Sequence, residues 1–414
     1  MILRARCILP ISAPPIDNGA LVFEDGRIAW AGRWRDLENP GDRKVRDLGE
    51  VALLPGLINA HAHLDYTSMG GRIPPPRFFP DWVKTILYFK AHWSFSEFAE
   101  SWLKGARMLL ESGTTTVADI ESVPELLPQV WESTPLRVIS FLELTGVKSQ
   151  RPPAEILSEA LDRIDGLARP DRKECALSPH ALYSTQPELI RASAKIGAGR
   201  GMLLSTHLAE SLPEFQMFCD SAGPFYDWMK GQRRMDDCRG ASPVQLAHEY
   251  GLLSSRFLAI HVNYLAPEDE TLLARARASV VHCPRSHDYF GHDPFPYARL
   301  AKAGVNICLG SDSLASTRKF GNSDPELNLW YDMRAFARAH PGVAPQEILR
   351  LATIQGALAL NKETELGQLK PGFAADVIST LYSGPIQEAR IYEELLHTAQ
   401  ARDVFIGGES VLSP

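Results

Sequence analysis

The chain has 414 residues, a formal net charge of −7 and 22% charged residues. This length can bury the core of one large α/β barrel or of two to three ordinary domains. The negative charge gives no reason to expect nucleic acid or an anionic membrane surface as a partner. No apolar run approaches the ~20 residues that a membrane span requires. These properties therefore exclude the nucleic-acid-binding and membrane classes as first expectations.

The first segment, MILRARCILPISAPP, has an apolar stretch too short and too interrupted for a signal peptide, and it predicts a first strand. The six cysteines are scattered and form no C-x-x-C pair, which argues against a zinc ribbon and a disulfide framework. We therefore expect a cytoplasmic protein with reduced thiols.

The two ends of the chain share an all-β texture. Residues 1–53 contain short strand-like runs separated by turn signals, among them a D-G turn at 25–26. Residues from about 366 to 414 contain two further apolar runs of strand length, the second with a G-G turn. We predict that both ends together form one small β-sandwich domain.

The middle of the chain alternates apolar runs of about six residues with helical patterns. The candidate strands are VALLPGLINA (51–60), TTTVADI, LRVISFLEL, ECALSPHALY, GMLLSTHLAE, FLAIHVNYL, ASVVHCP and VNICLGSDS. Eight strands alternating with helices predict a closed, TIM-like (β/α)₈ barrel over residues 54–365. An open doubly wound sheet is the competing topology, but no G-x-G-x-x-G motif follows the first strand, which disfavours dinucleotide binding.

Residues 55–65, PGLINAHAHLD, place two histidines one residue apart at the end of an apolar run. Successive side chains of a strand point to opposite faces, so His61 and His63 point the same way. Taken alone, this pair fits either a metal site or two hydrogen-bonded histidines in a turn.

Polar residues also end the other candidate strands. They are Asp119, Glu143, His180, His207 with Glu210, His261, His282 and Asp312. Six of the twelve histidines thus fall at the end of a predicted strand, where the active site of a (β/α)₈ barrel lies. This clustering favours a metal site.

The expected ligands are His61, His63, His207 and Asp312, which supply three nitrogens and one oxygen. Such a set suits Zn²⁺, or Fe²⁺ as the alternative. A second metal would need a bridging carboxylate or a modified lysine, and Lys173 precedes the fourth barrel strand instead of following it. We therefore predict one divalent transition metal.

The remaining strand-end residues each have a structural alternative. His180 and His261 directly follow apolar strands, and Glu210 lies three residues beyond an expected ligand, so a function is favoured for all three. Asp119 and Glu143 are expected to form salt bridges or caps. His282 is expected to be a hydrogen-bonded residue of the barrel wall.

Seven motifs in order resemble the amidohydrolase superfamily. They are PGLINAHAHLD, SPHALYS, STHLAES, IHVNYL, VVHCPRS, LGSDSLAS and LKPGFAADVI. They are most similar to the deaminase and chlorohydrolase branch, which includes methylthioadenosine/S-adenosylhomocysteine deaminases, guanine deaminases and triazine hydrolases. The GSDSLAS stretch is most similar to aminodeoxyfutalosine deaminases. The resemblance implies a metal-carrying barrel with a small β-sandwich built from both termini.

The resemblance also implies roles for individual residues. It makes His61, His63, His207 and Asp312 metal ligands, Glu210 the acid of an H-x-x-E motif, His261 the residue that holds the attacking water, and His180 a substrate contact. One departure is HCPRSH, which has His287 where the family often has asparagine. We therefore expect His287 in an unusual substrate pocket. Trp82, with Phe78 and Phe79, lies in the long connection after the first barrel strand and is expected to cover a flat substrate.

The expected reaction is hydrolytic deamination of an aminated purine-, pterin- or triazine-like ring, with release of ammonia. Glu210, if protonated, would donate to a ring nitrogen, while Asp312 accepts a proton from a water that His261 orients. One alternative is hydrolysis of a carbon–halogen or amide bond at the same metal, although a halide leaving group does not need the acid. The other is a catalytically inactive barrel used for binding. A small molecule is the expected partner, and a homodimer is left open.

Overall fold

The structure is a computed structural model that describes residues 1–38, 40–148, 151–168, 170–319, 321 and 323–412. Its strands are β1 (Ile2–Ile8), β2 (Ile16–Glu24), β3 (Arg27–Arg33), β4 (Val45–Asp47), β5 (Val51–Pro55), β6 (Leu57–Ala62), β7 (Thr114–Glu121), β8 (Arg137–Leu144), β9 (Lys173–Pro179), β10 (Leu204–Leu208), β11 (Phe257–His261), β12 (Ser279–His282), β13 (Asn306–Leu309), β14 (Val377–Leu381), β15 (Asp403–Ile406) and β16 (Glu409–Ser410).

Helices connect most of these strands. They are α1 (Phe79–His92), α2 (Phe95–Glu111), α3 (Leu127–Glu132), α4 (Pro153–Gly166), α5 (Pro187–Arg200), α6 (Leu212–Asp220), α7 (Pro224–Met229), α8 (Pro243–Glu249), α9 (Asp269–Ala276), α10 (Pro284–Phe290), α11 (Tyr297–Lys302), α12 (Leu329–Ala339), α13 (Pro345–Leu351), α14 (Ile354–Ala359) and α15 (Glu388–Thr398). None of those in the described part of the chain is long and apolar enough to cross a membrane.

The barrel sheet consists of β6 to β13, which pair in chain order and are all parallel. A parallel bridge between Ala62 and Asp312 brings the end of β6 to the segment after β13. The carbonyl of His61 also accepts hydrogen bonds from the N–H groups of Ser311 and Asp312, at 3.0 and 3.1 Å. The sheet is thus nearly closed, in agreement with the predicted TIM-like barrel.

The run predicted as one strand over 51–60 is two strands that lie in different sheets. β5 ends at Pro55 and pairs with β1 and β14, whereas β6 begins at Leu57 and pairs with β7. A Cβ on Gly56 would lie 2.1 Å from Oγ1 of Thr115, so the crossing requires a glycine. Because every residue from 51 to 62 is buried, hydrophobicity alone does not reveal the break.

The terminal sheet joins both ends of the chain. Its order is β16-β15-β14-β5-β1-β2-β3, with β4 paired to β1. Leu3, Leu53, Val377 and Phe405 share one buried cluster, so the two ends have a common core. The helix α15 between β14 and β15 was not predicted. We propose that this sheet marks a second domain, made of residues 1–53 and about 366–414, beside a barrel domain of residues 54–365.

Helix α1 also lies where no helix was predicted, in the connection after the first barrel strand. Pro80 occupies its first turn, where a missing N–H costs nothing. Val83 and Leu87 lie on one face with Trp82, Ile86 and Lys90, because positions three and four apart are neighbours on a helix. This face covers one side of the barrel mouth, where it lines a cavity.

Candidate active site

Five of the predicted functional residues converge at the carboxyl ends of four barrel strands. His61 is the penultimate residue of β6, and His63 directly follows that strand. His207 is in β10, His261 ends β11 and Asp312 follows β13. All five are at most 6% exposed. The nearly closed sheet therefore brings together residues that are 251 positions apart at the extremes (61 and 312).

The potential ligand atoms of this cluster lie within a few ångströms of one another. Nε2 of His63 is 3.3 Å from Nε2 of His207. Oδ1 of Asp312 is 3.5 Å from Nε2 of His61 and 3.7 Å from Nε2 of His63. His61, His207 and His261 form one group whose potential ligand atoms all lie within 4.8 Å of one another. His61, His63 and Asp312 form a second such group. Three imidazoles and one carboxylate are a donor set that Zn²⁺ accepts.

The hydrogen bonds of His207 and the lowered pKa of His63 are those expected where histidines bind a metal ion. Nδ1 of His207 lies 2.9 Å from the carbonyl oxygen of His180, which can only accept, so Nδ1 carries the proton and Nε2 keeps its lone pair. Neither ring nitrogen of His61 has a hydrogen-bond partner among the described residues. Burial, followed by the effect of His61, lowers the pKa of His63 to about 3. Buried, neutral imidazoles with unused nitrogens are expected to bind a metal ion.

Asp312 is held as a carboxylate in a strained backbone conformation. Burial opposes its ionisation, but His61, whose Nε2 is 3.5 Å from Oδ1, and the electrostatic effect of the other neighbouring histidines keep its pKa well below the usual value. Its two oxygens also accept hydrogen bonds from the N–H of Ser313 at 2.7 Å and the hydroxyl of Ser316 at 3.1 Å. Its φ of 55° is in the left-handed region, which such contacts must stabilise.

Glu210 has the opposite protonation preference. It is 5% exposed, and burial, followed by the charges of Asp312 and Glu214, raises its pKa well above the usual value. Its Oε1 lies 3.7 Å from Nε2 of His261. Two nearby carboxyl groups with pKa values shifted apart are the arrangement that separates an acid from a base.

A cavity of about 200 Å³ opens over this cluster. Its walls include Tyr66, Trp82, Tyr183 and Trp228, together with His63, His180, His207, Glu210 and Asp312. Trp82 donates from Nε1 to the carbonyl of Ala315 at 3.3 Å, which fixes its ring. The ring of His180 is fixed by a 2.6 Å hydrogen bond between Nδ1 and Oγ of Ser184. Aromatic walls with a few fixed polar groups suit a flat, polar ring.

The structure does not place His287 in this cavity, which corrects the expectation from the sequence. Helix α10 begins directly after β12 and directs the imidazole of His287 towards Asn263, with Nδ1 3.1 Å from Oδ1. His287 also packs edge-on against His282, at 5.2 Å between ring centroids. His282 in turn stacks on Phe295 at 3.8 Å, as a wall residue would.

Glu143 has a partner that the sequence pattern did not reveal. Nζ of Lys90 on α1 lies 3.2 Å from Oε2 of Glu143, and Nε2 of His180 lies 3.8 Å from Oε1. Burial opposes the ionisation of Glu143, but Lys90 and then His180 lower its pKa to about 2. The three side chains line the cavity. The spacing of Trp82, Ile86 and Lys90, four residues apart, was the available signal for this helical face.

Asp119 has the capping role that was expected for it. Its Oδ1 accepts the backbone N–H of Leu64 at 3.0 Å, and its Oδ2 accepts Nε1 of Trp102 at 2.8 Å. Lys173 lies at the start of β9, where its ammonium binds the carbonyls of Thr134 and Leu136. It is therefore at the end of the strand that lies away from the cluster, and it offers no bridge for a second metal.

A nearly closed parallel barrel with a buried histidine–aspartate cluster at its mouth is the arrangement expected of a metal-dependent hydrolase. The chain belongs to the amidohydrolase family, whose model matches residues 52–411. This confirms the resemblance found in the motifs and makes the protein an enzyme of that family.

A relative named 5-methylthioadenosine/S-adenosylhomocysteine deaminase from Nitratidesulfovibrio vulgaris is 28% identical over 399 residues, which cover 93% of this chain and 84% of the relative. The solved aminofutalosine deaminase of Helicobacter pylori, in complex with methylthio-coformycin, has a TM-score of 0.85 and 22% identity and covers 99% of this chain and 100% of its own. The atrazine chlorohydrolase of Arthrobacter aurescens, complexed with zinc, has a TM-score of 0.83 and 20% identity and covers 99% and 95%. The two structures support the fold.

Proposed function

We propose that the protein is a hydrolytic deaminase that replaces the amino group of a purine-like ring by oxygen and releases ammonia. The observation that carries the proposal is the buried carboxyl of Glu210, whose pKa is raised well above its usual value by burial and which lies beside the cluster of His61, His63, His207 and Asp312. The deaminase names of the sequence relatives give further support.

We propose that His61, His63, His207 and Asp312 hold one divalent transition metal, with Zn²⁺ favoured over Fe²⁺ by the three nitrogens. When bound, such an ion supplies Lewis acidity that favours ionisation of water at neutral pH. The unused ring nitrogens of His61 and the lone pair on Nε2 of His207 support this assignment.

The residues of the chain divide the proton transfers between them. His261 orients the attacking water, and the ionised Asp312 accepts its proton. Negative charge would then develop on a ring nitrogen of the substrate, where protonated Glu210 donates its proton. The departing amino group takes the proton held by Asp312 and leaves as ammonia, while the hydroxyl on the attacked carbon returns a proton to Glu210 as the oxo group forms. His180 and Trp82, both fixed by hydrogen bonds in the cavity wall, hold the ring and exclude water.

A second candidate is hydrolysis of a carbon–chlorine bond at the same cluster, which the fold shared with the atrazine chlorohydrolase supports. Both reactions need a donor to the ring nitrogen, and they differ in the leaving group, because an amino group must take a further proton whereas chloride leaves without one. The deaminase names of the sequence relatives therefore favour deamination.

A substrate screen tests the proposal. Metal-loaded enzyme should be incubated with adenine nucleosides, aminopterins, aminotriazines and chlorotriazines, with ammonia and chloride measured in parallel. We expect one ammonia for each oxo product from an aminated ring. Chloride or a free carboxylate without ammonia would show that the deaminase assignment is wrong.

A further inference from the structure

The backbone of Glu210 is held by hydrogen bonds on both sides. Its N–H donates to Oε2 of Glu214 at 2.8 Å, and its carbonyl accepts from Nδ2 of Asn263 at 2.8 Å. Glu214 also accepts the N–H of Ala209 at 3.1 Å. Glu214 is fully buried and Asn263 is 5% exposed, so water does not compete for these bonds. The peptide units on either side of the acid are therefore fixed.

This fixation occurs where the backbone is strained. Ala209 has a φ of 48°, and on the neighbouring strand His261 and Val262 have φ values of 75° and 49°. Non-glycine residues in the left-handed region persist only where surrounding contacts hold them. Here the N–H of Asn263 donates to the carbonyl of Ala209 at 3.0 Å, in addition to the bond from Nδ2 of Asn263 to the carbonyl of Glu210. The peptide units beside the acid thus depend on the contacts of Asn263.

His287 fixes the orientation of the Asn263 amide. Because Nδ2 of Asn263 faces the carbonyl of Glu210, its Oδ1 faces Nδ1 of His287, 3.1 Å away. An amide oxygen can only accept, so His287 carries its proton on Nδ1. If the amide were rotated, Oδ1 of Asn263 would face the carbonyl oxygen of Glu210, and neither oxygen can donate. His287 thereby prevents the orientation in which Asn263 could not bind the carbonyl.

We propose that Glu214, Asn263 and His287 are positioning residues that hold the proton donor Glu210, an inference that rests on the proposed function. We call these three residues the acid clamp. None of them is among the residues that line the cavity, so they act on the substrate only through Glu210. Their loss should lower kcat more than it raises KM, because the surface that binds the substrate is retained.

The sharpest variant is Asn263→Asp. It keeps the size of the side chain and an acceptor for His287, but it cannot donate to the carbonyl of Glu210. We expect kcat to fall ~10–100-fold, as for a displaced catalytic group, with KM within ~3-fold of native and the same metal content. A change confined to KM would contradict the proposal.

A double-mutant cycle separates positioning from general damage. If the acid clamp acts through Glu210, Asn263→Asp should change the residual rate of Glu210→Gln by no more than ~3-fold. If the rate losses of the two substitutions multiply in full in the double mutant, Asn263 acts by another route and the proposal is wrong.

His292 is a matched control for His287, because their ring centroids are 5.4 Å apart. Nδ1 of His292 lies 3.4 Å from the Tyr264 hydroxyl, and among the described residues the His292 ring makes no hydrogen bond to a side chain of the acid clamp. We expect His287→Phe to lower kcat ~10-fold, and His287→Asn to recover most of that rate because its amide can donate from nearly the same place. His292→Phe should remain near the native rate. Equal losses in the His287→Phe and His292→Phe variants would overturn the role of His287.

Hydrogen exchange of the metal-loaded enzyme without substrate tests the acid clamp independently of the reaction. Peptides that contain the amides of Ala209 and Glu210 should exchange ~10-fold faster in Asn263→Asp than in the native protein, because local opening becomes easier. Unchanged exchange would overturn the acid clamp even if ammonia is released. Absence of ammonia from the native enzyme, with exchange accelerated as expected, would instead overturn only the deaminase assignment and leave the acid clamp standing.

Discussion

The two sides of the cavity are built differently. On the strand side, His61, His207 and Asp312 are at most 5% exposed and are held by the nearly closed barrel sheet. On the helix side, α1 presents Leu87, which is 36% exposed, and Lys90, whose side chain is 24% exposed. Rigid, dehydrated groups suit chemistry, whereas a partly exposed helix face suits contact with a varying part of the substrate. Substitutions on the strand side should therefore abolish turnover, and those on the helix side should mainly alter KM.

His61→Ala tests the strand side with the largest expected effect. Both ring nitrogens of His61 are available and Nε2 is 3.5 Å from Asp312, so its loss removes a proposed ligand from the centre of the cluster. We expect metal content to fall from about one equivalent to near zero and activity to become undetectable. Elemental analysis and ammonia release measure the two effects. His248, an exposed residue on α8, provides the control, since His248→Ala should keep both metal and activity. Full metal and full activity in His61→Ala would contradict the ligand assignment.

Glu210→Gln separates proton donation from metal binding. The variant keeps the shape of the side chain and should keep the metal and bind substrate, but lose ~10²–10⁴-fold in kcat because an amide cannot shuttle protons. In the native enzyme the pKa of Glu210 is raised well above its usual value, so the protonated donor is lost as pH rises through that pKa. The alkaline fall in kcat should therefore be absent from the variant. A native rate in Glu210→Gln would disprove the proposed mechanism even if ammonia appears.

His180→Ala tests a residue where the two sides meet. Only the carbonyl of His180, and not its ring, binds Nδ1 of His207, so the substitution leaves that bond in place. We expect the metal to remain and kcat/KM to fall ~10–10³-fold through loss of one orienting contact. Metal analysis beside steady-state kinetics checks both points. If metal is lost, His180 has a ligand role that was not assigned to it.

The same difference between the two sides explains what the sequence could predict. His61, His207 and Asp312 stand out because each interrupts an apolar strand at its carboxyl end, and the barrel topology then brings those ends together. The break at Gly56 was missed because both flanking strands are buried and equally apolar. Lys90 was missed because its partner Glu143 is 53 residues away and pairs with it only through tertiary packing. His287 was expected in the substrate pocket, but on α10 its ring bonds to Asn263 and it is not among the residues that line the cavity.

Lys90→Met tests the helix side, with the smallest expected effect on the reaction. We expect kcat within ~3-fold of native and KM raised by up to ~10-fold, since Lys90 lines the cavity but is not one of the proposed metal ligands. The larger effect should be on stability, because the substitution leaves Glu143 buried without its cation, at a cost of ~2–3 kcal/mol for a pair of which the lysine is partly exposed. Kinetics and thermal unfolding measure the two effects.

The pH dependence of unfolding gives this last prediction its sign. Lys90 first, and then His180, lower the pKa of Glu143 from 4.5 to about 2, so the pair stabilises the fold above the unfolded pKa and loses this contribution as pH falls towards 2. The Tm of Lys90→Met should thus be furthest below that of the native protein at neutral pH, and the difference should shrink as pH falls below about 4.5. Lys148, an exposed lysine at the same cavity, is the matched control, and Lys148→Met should leave Tm unchanged. A Tm difference that is constant with pH would mean that the Lys90–Glu143 pair does not stabilise the helix side.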